Sequence, residues 1–521
     1  MRRQLDVPHL AGGSRRTWTA ITASSLALLL ASWLLLIPLL GGTDEAQHAI
    51  ASYADAHLIT HRPSPYSYQP AVQAIREPGT FAFLPAESYC LALGRTANCR
   101  VPIDLCAFFE HSNRCNEPLI GSNRPSAAMT YTARYPPTYF SLVGLPTFVS
   151  TSPGVLYAMR MVAAIINGLL LFGALFAVFR WGRRPGLIAG LAVALAPSVL
   201  ALSVVINPSG LEVCAALCAW TAGILLATTG GPPPLALTRM TGLGATALAL
   251  SRPSSPAWLA LIVIVVGLIA RPSRRRELLA DTHLRRWGLI ALVATIFTMT
   301  WVVLVHSGEV LTTIGYRTRS NGQNMIMTLR MSETWLHQTI GLLGRTLFYV
   351  PTTTLMLWSA AGLALIVAGL LGCRGAHRGR KLALPFIMVV TLAVPYGLSL
   401  LWHQNPEFID SGRYGLPAAV GIALVAGGLM PSTRTMTRLT VGIIVACGIG
   451  EVVAFAGMLN LFSHGTRALP WKGGTLGTWS PPVSGVSLLI VSTFAMAGLS
   501  ASFVHWVLAS FNAERQEPSN A

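Results

Sequence analysis

The sequence is poor in charge: Asp, Glu, Lys and Arg make up 11% of its 521 residues, against roughly 25% in a soluble globular domain. Hydrophobic residues make up 53% and the mean hydropathy is +0.56. A chain this apolar does not stay solvated as an open coil, which excludes an intrinsically disordered protein. Acidic residues are scarcest, with 19 against 37 Lys and Arg. These basic residues are scattered between apolar runs rather than gathered in a basic groove, which favours a membrane partner and not nucleic acid.

Apolar runs of about 20 residues, the length that crosses a bilayer, recur along the chain and are separated by short turns rich in Arg, Gly and Pro. We therefore predict an all-α polytopic membrane protein with about 12 transmembrane helices. The predicted spans are 20–40, 156–179, 186–205, 208–228, 236–251, 256–270, 288–306, 353–371, 382–402, 415–430, 439–460 and 485–510. The fifth and sixth spans are short, and the sequence leaves open whether this hairpin crosses the membrane fully.

Basic residues predict the orientation, because cytoplasmic loops retain Lys and Arg. With the N-terminus inside, the inner segments hold about 21 of the 37 basic residues and about 5 of the 19 acidic ones. No small-x-small cleavage motif follows the first span, so we predict an uncleaved signal anchor in the plasma membrane. The predicted regions are a cytoplasmic N-terminal tail (1–19), the first transmembrane helix (20–40), an extracytoplasmic loop (41–155), a transmembrane bundle (156–510) and a cytoplasmic C-terminal tail (511–521).

The extracytoplasmic loop carries half of the eight cysteines. They are Cys90, Cys99, Cys106 and Cys115. Closely spaced cysteines outside the cytoplasm predict two disulfides, and three pairings satisfy the sequence. Four free thiols are the alternative. A zinc site is disfavoured, because the spacings contain no C-x-x-C pair.

Ionisable side chains near the apolar slab are costly unless they are paired or functional, so those at the outer ends of spans are the candidate site residues. The first group follows the first span. Thr43 is the predicted N-cap, with Asp44 and Glu45 in the first helical turn, where the helix dipole favours anions. Asp44 and His48 lie one turn apart on one face. A carboxylate held here can act as general base for a sugar hydroxyl. The alternative is an interfacial helix with ordinary acids at its start.

Two further groups of candidate site residues precede later spans. Arg134, Tyr135 and Tyr139 flank a Tyr-Pro-Pro motif, in which the paired prolines predict an extended approach that presents the tyrosines at the membrane interface. Asn207 begins an Asn-Pro turn and is followed by Glu212. The alternatives are tyrosines that only anchor the interface and a turn that only closes a helical hairpin.

Two arginines at the outer ends of spans suit a phosphate group. Arg252 lies in the turn of the short hairpin, and Arg413 lies in a Gly-Arg-Tyr motif with Tyr414. The planar guanidinium fork bonds phosphate oxygens bidentately. The alternative is that both arginines extend toward lipid headgroups. Glu451 is a separate candidate, a carboxylate in the middle of a predicted span for which the sequence names no partner.

Taken in order, these motifs resemble those of the GT-C-type polytopic glycosyltransferases. More narrowly, they resemble an uncharacterised family of predicted membrane proteins, common in actinobacteria, that carries Asp-Glu after the first span and Tyr-Pro-Pro at the end of the first outer loop. This resemblance implies an inverting transferase that moves a sugar from a polyprenyl-phosphate donor to a cell-envelope glycan or lipid acceptor. It implies neither a nucleic-acid partner nor a certain cofactor, and a divalent metal is not indicated.

The resemblance also assigns roles to the candidate site residues. Asp44 is the expected base, with Glu45 as its neighbour or substitute, and Arg413 is expected to contact the lipid phosphate. The expected substrate-binding residues are His48, Arg134, Tyr135, Tyr139, Asn207, Arg252, Arg413 and Tyr414. One departure is Arg345, which stands where members of that family tend to carry an acid. The competing class is a transporter or flippase of a lipid-linked or envelope precursor, which predicts internal repeats and ionisable groups near the midplane.

Overall fold

The computed structural model describes residues 12–58, 62–63, 73–77, 126–130, 132, 135–150, 154–182, 184–305, 350–401, 412–464 and 480–516, with some residues between 322 and 341. Helices dominate the described part of the chain. The helices are α1 (Gly12–Leu36), α2 (Glu45–Ala56), α3 (Pro137–Val143), α4 (Val155–Trp181), α5 (Pro185–Ala194), α6 (Pro197–Val204), α7 (Pro208–Thr228), α8 (Leu235–Ala249), α9 (Ser255–Ile269), α10 (Pro272–Ala280), α11 (Thr282–Leu304), α12 (Thr352–Gly372), α13 (Arg378–Leu401), α14 (Leu416–Leu429), α15 (Arg434–His464) and α16 (Gly485–Gln516).

A small antiparallel sheet lies in the loop after α1, in addition to the predicted helices. Its strands are β1 (Arg62–Pro63), β2 (Gln73–Glu77) and β3 (Ser126–Thr130), in the order β1-β2-β3. In its register Gln73 pairs with Thr130 and Glu77 with Ser126. The sheet was not predicted because neither longer strand has the alternation of apolar and polar residues that indicates one.

The predicted spans each coincide with a helix or, for 186–205, with the bent pair α5 and α6. Among the described residues, eight helices are long and apolar enough to cross a membrane, or nine if the bent pair counts as one span. The structure therefore supports a polytopic membrane protein. Helices α8 and α9 have 15 residues each, about 22 Å, which is less than the ~30 Å of a bilayer core. The count of 12 stays a prediction.

Several helices extend beyond the predicted boundaries. Helix α1 begins at Gly12, inside the predicted tail, and ends at Leu36 rather than at residue 40. Pro38 accounts for this end, because a proline disfavours helical backbone in the residue before it. At the other end of the chain, α16 continues to Gln516.

The centre of the bundle is α7, whose apolar window is buried along its whole length. It packs against α4, α8, α9 and α14. Close packing also joins α5 to α14, where a Cβ atom added to Gly186 would lie 2.5 Å from the carbonyl oxygen of Gly427. Small residues of this kind let helices in a membrane approach closely. Because α7 is fixed on several sides, the turn that precedes it is a rigid base for a site.

The short helices α2 and α3 pack against each other next to this turn. Gly144 lies at the contact, where an added Cβ would overlap the backbone of Ser52. The buried side chains of this smaller core include Tyr139, Phe140, Met159 and Ile206. These contacts join the segments on either side of the first loop to the start of α7.

Candidate functional site

The acidic pair lies in the turn that leads from α1 into α2. The N-cap residue of α2 is Asp44 rather than the predicted Thr43, and its side chain makes no capping hydrogen bond. The backbone of Asp44 is left-handed, with φ 55° and ψ 14°. Such a conformation costs a residue with a side chain about 1–2 kcal/mol, although Asp tolerates it better than most. A strained position of this kind is common where a side chain is held for function.

The carboxylate of Asp44 forms an ion pair with the guanidinium of Arg413 through Oδ2 and Nη2. The Asp44 side chain keeps 29% of its surface exposed, whereas that of Arg413 keeps 9%. Arg413 lies in a 3₁₀ turn, Gly412–Gly415, that leads directly into α14. The same Nη2 atom lies 3.3 Å from the hydroxyl of Tyr414 and donates to it. The structure therefore joins two predicted site residues that are far apart in sequence.

The neighbouring Glu45 is fully buried and has a different partner, Arg160 of α4. The guanidinium of Arg160 donates from Nε to Oε1 at 2.6 Å and from Nη2 to Oε2 at 2.5 Å. The backbone amides of Ile206 and Gly42 donate to the same two oxygens at 3.1 and 3.0 Å. Arg160 also donates to the carbonyls of three residues at the end of α1, which are Leu34, Ile37 and Pro38. This pair fastens α1, α2, α4 and the turn before α7 to one another.

A second buried ion pair holds Arg252 in the turn between α8 and α9. Its Nη1 donates to Oγ of Ser209 at 2.9 Å and to Oε2 of Glu212 at 3.4 Å. Its Nη2 donates to the hydroxyl of Tyr135 at 3.2 Å. The other oxygen of Glu212 accepts from the hydroxyl of Ser255 at 2.7 Å. The guanidinium is thus held in place by three side chains.

The ring of Tyr414 lies between the two arginines. The guanidinium carbon of Arg252 is 4.6 Å from the centre of this ring, and that of Arg413 is 5.1 Å from it. Arg252 also packs on the ring of Tyr135, at 5.3 Å. A cation within about 6 Å of an aromatic face is attracted by it. The ring of Tyr414 therefore attracts both cations and brings them close together.

His48 lies one turn after Asp44 and is buried against the aromatic rings of Tyr135 and Phe140, at 6.1 and 5.7 Å between ring centres. Burial lowers the pKa of its imidazole to about 3, an effect that the nearby Asp44 opposes and Arg413 and Arg252 reinforce. The ring is therefore neutral at pH 7.

Tyr139 and Asn207 connect α3 and the start of α7 to the turn before α2. The backbone amide of Asn207 donates to the hydroxyl of Tyr139 at 2.8 Å, and its side-chain amide donates to the carbonyl of Thr43 at 2.7 Å. The oxygen of the same side chain accepts from the amide of Ser209, as an N-cap does. Burial raises the pKa of the Tyr139 phenol, which stays protonated. Both residues position the backbone that carries Asp44.

Except for Glu451, the described candidate site residues belong to one connected cluster. Arg134 and the four loop cysteines lie outside the described residues, so the disulfides stay a prediction. Cys214, Cys218, Cys373 and Cys447 are free and buried. Within the described part of the chain, no three His, Cys, Asp or Glu side chains are grouped closely enough to hold a metal ion.

Sequence reasoning missed Arg160, although an arginine inside a predicted span is itself a signal. It also missed Ser209 and Ser255, for which the sequence gives no signal. Glu451, left without a partner above, accepts a hydrogen bond from Nε1 of Trp33 at 2.6 Å. Its other oxygen has no hydrogen-bond partner among the described residues and lies beside a small apolar cavity lined by residues such as Leu29, Trp358 and Phe503.

One comparison with known proteins places the chain. A family model described as predicted membrane protein (DUF2142) matches residues 27–422, which include every described residue of the cluster around Asp44 and Arg413. No curated protein matches the chain.

Proposed function

The chain belongs to the DUF2142 family of predicted membrane proteins, and from this premise we propose that it is a GT-C-type inverting glycosyltransferase. It takes a sugar from a polyprenyl-phosphate donor and adds it to an envelope glycan or lipid acceptor at the extracytoplasmic face of the plasma membrane. Its N- and C-termini lie in the cytoplasm, as the distribution of basic residues favours.

One observation carries this proposal: the partly exposed carboxylate of Asp44 contacts Arg413, and Arg413 shares the ring of Tyr414 with a second arginine, Arg252. Inverting sugar transfer from a lipid phosphate needs both kinds of group in one site, the base at the face where the acceptor attacks and the cations at the face where the phosphate leaves. A base takes the proton of the acceptor hydroxyl, and cations stabilise the charge that develops on the departing phosphate.

Asp44 is a better candidate base than Glu45. The oxygens of Glu45 already accept four hydrogen bonds, two from Arg160 and two from backbone amides. No lone pair is left for a substrate proton, and the carboxylate is sealed from solvent. Asp44 has solvent access through 29% of its side-chain surface. Glu45 and Arg160 then serve to position Asp44.

The two arginines divide the donor's phosphate recognition between them. A polyprenyl donor is confined to the bilayer, so its phosphate lies at the level of the headgroups. Arg413 binds the phosphate that leaves, because its guanidinium contacts the base and so lies beside the reacting atoms. Arg252 adds a second positive charge from a fixed position. In the reaction, the acceptor oxygen bonds the anomeric carbon, the carbon–oxygen bond to phosphate breaks, and the hydroxyl proton moves to Asp44.

A second candidate function is a transporter or flippase, and Glu451 is the observation that favours it. A carboxylate in the middle of a long apolar helix is a functional candidate by default, because its burial is costly. Its contact with Trp33 satisfies only one of its two oxygens.

The test compares two matched carboxyl-to-amide variants, Asp44→Asn and Glu451→Gln, with the wild type in lipid nanodiscs. Each protein is given a panel of radiolabelled polyprenyl-phosphate sugars with cell-envelope acceptors, and transferred sugar is counted. We expect Asp44→Asn to lose transfer by about 10²-fold or more, with normal membrane insertion, and Glu451→Gln to retain it. Near-normal transfer by Asp44→Asn would remove the base assignment. A wild type that binds no donor lipid, together with lipid movement that depends on Glu451, would support the transporter.

A further inference from the structure

We propose that the ion pair between Asp44 and Arg413 is a gate that the phosphate of the donor opens. The phosphate takes Arg413, and this exchange frees Asp44 to act as base. The inference rests on the proposed function and adds a binding order, in which the donor precedes deprotonation of the acceptor.

The two partners of the pair differ in how freely they can move. Arg413 is fixed, because its side chain is 91% buried and its guanidinium packs on the ring of Tyr414. Asp44 has 29% of its side-chain surface exposed and no capping hydrogen bond to the amides of its own helix. A ligand that arrives from solvent or from the membrane surface therefore meets the carboxylate first and displaces it, while the arginine stays in place.

The charges of the cluster favour exchange over simple addition. Among the described residues of the cluster, Asp44 pairs with Arg413 and Glu212 pairs with Arg252. A phosphate that shared the guanidinium of Arg413 with Asp44 would hold two anions in contact, where like charges repel. Exchange lets the partly exposed carboxylate move away from the phosphate. An exchange instead gives Arg413 a phosphate in place of a carboxylate, and phosphate oxygens suit its planar fork at least as well.

Arg252 is not the arginine that exchanges partners. Ser209, Glu212 and Tyr135 all hold its guanidinium, and Glu212 is itself held by Ser255. Separating Glu212 from Arg252 would leave a buried carboxylate and a buried cation without each other, which is costly. The exchange is thus confined to the pair that has solvent access.

The exchange changes the chemistry of Asp44. A carboxylate next to a guanidinium binds a proton weakly, because the cation favours the charged form. Once phosphate takes the guanidinium, Asp44 has an anion nearby instead, and its affinity for a proton rises. The acceptor hydroxyl then gives its proton to Asp44 while its oxygen bonds the anomeric carbon, and the electrons of the broken bond remain on the phosphate held by Arg413. Asp44 therefore acts as a base only when a donor is bound, and the acceptor hydroxyl is not deprotonated in the absence of a donor.

The test measures the affinity of sugar-free polyprenyl phosphate for the wild type and for Asp44→Asn in nanodiscs. Removal of the competing anion should make Asp44→Asn bind about tenfold more tightly, although transfer is lost. Asp44→Ser is a second variant that removes the same charge and should show the same gain. Glu451→Gln is the matched control and should bind as the wild type does. In a further arm, phosphatidylglycerol or inorganic phosphate competes for the site, which separates a donor site from a general phosphate site.

The outcomes separate the gate from the enzyme. Equal affinity in the wild type and both Asp44 variants, with transfer still lost, would overturn the gate and leave the glycosyltransferase standing. Competition by phosphatidylglycerol at equal membrane fraction would overturn the donor as the ligand that opens it. Absence of polyprenyl phosphate binding in all proteins, with no transfer, would overturn the proposed function itself.

Discussion

Asp44 and Glu45 are neighbours in the sequence, and both are paired with an arginine, but the two pairs differ in burial. Glu45 accepts four hydrogen bonds and its side chain is fully buried. Asp44 makes a contact with one nitrogen of Arg413 and remains partly exposed. A carboxylate that is buried with all its lone pairs used is an anchor, whereas one with solvent access can be reached by a ligand.

The backbone explains why adjacent acids reach opposite environments. Asp44 is left-handed and lies just outside α2, whereas Glu45 is its first helical residue. The change of conformation between them directs Glu45 toward the N-terminal part of α4, where Arg160 donates hydrogen bonds to carbonyls at the end of α1. Because Glu45 is anchored, the backbone of the neighbouring Asp44 is held in place, as a preorganised site requires.

The largest expected effect is on stability, from substitution of the buried anchor Glu45. We expect Glu45→Gln to lower the free energy of unfolding by about 3–5 kcal/mol, because it leaves Arg160 as an uncompensated buried charge. The amide group would also face donors only, from Arg160 and from the amides of Gly42 and Ile206. The measurement is a thermal unfolding curve of the purified protein in detergent.

Asp44→Asn is the matched control for this prediction. Its carboxylate is partly solvated, so its loss should cost about 1 kcal/mol. Equal destabilisation by the two variants would contradict the distinction between Glu45 as a structural anchor and Asp44 as an acid that a ligand can reach. A large effect at Glu45 alone would support that distinction.

The second prediction concerns the pH dependence of stability that His48, a residue of α2, causes. Burial lowers the pKa of His48 to about 3, while its ordinary value in the unfolded chain is about 6.5. The unfolded state therefore binds the proton first as pH falls, and stability declines between pH 6.5 and pH 3. We expect a loss of about 2 kcal/mol from this residue between pH 7 and pH 5.

His48→Asn should remove that part of the pH dependence. The measurement is the unfolding midpoint of both proteins at pH 7 and pH 5, compared as a difference, since other groups titrate equally in the two. An equal difference at both pH values would mean that the folded imidazole binds a proton as readily as the unfolded one, and that His48 is less tightly packed than its contacts indicate.

The third prediction tests the ion pair between Asp44 and Arg413 by changing the arginine. Arg413→Lys keeps the charge and loses the planar fork, so we expect binding of polyprenyl phosphate to weaken about tenfold, close to 1.4 kcal/mol. Arg275→Lys, on an exposed residue of α10, should leave binding unchanged. A variant at position 413 that binds as well as wild type would show that charge alone, and not geometry, recognises the phosphate.

Much of the site could be predicted from the sequence, because ionisable residues at the ends of apolar runs are few. Asp44, Arg252 and Arg413 were found in this way, but the contact between Asp44 and Arg413 joins segments that no local pattern relates. Arg160 was missed because its role depends on the ends of α1 and α2 meeting in space.

The fold was predictable to a similar extent. Apolar length located the helices of the bundle, since a bilayer requires about 20 apolar residues for each span. It did not reveal the bend of 62° between α5 and α6, because the turn at Leu195 and Ala196 is as apolar as the helices beside it. The strands β2 and β3 lack any periodic pattern, so only pairing between distant segments reveals them.

The smallest expected effect extends the comparison to Glu451, a third carboxylate with a buried side chain. Unlike Glu45, it has only one hydrogen-bond donor among the described residues, the indole of Trp33, and its second oxygen faces apolar side chains. An amide keeps the oxygen that accepts from Trp33, and it places a neutral group where the second oxygen was. We therefore expect Glu451→Gln to change the free energy of unfolding by less than about 1 kcal/mol, in the same thermal measurement. A loss as large as that of Glu45→Gln would show that Glu451 is an anchor, and a loss of lipid movement with stability intact would make it the working residue of a transporter.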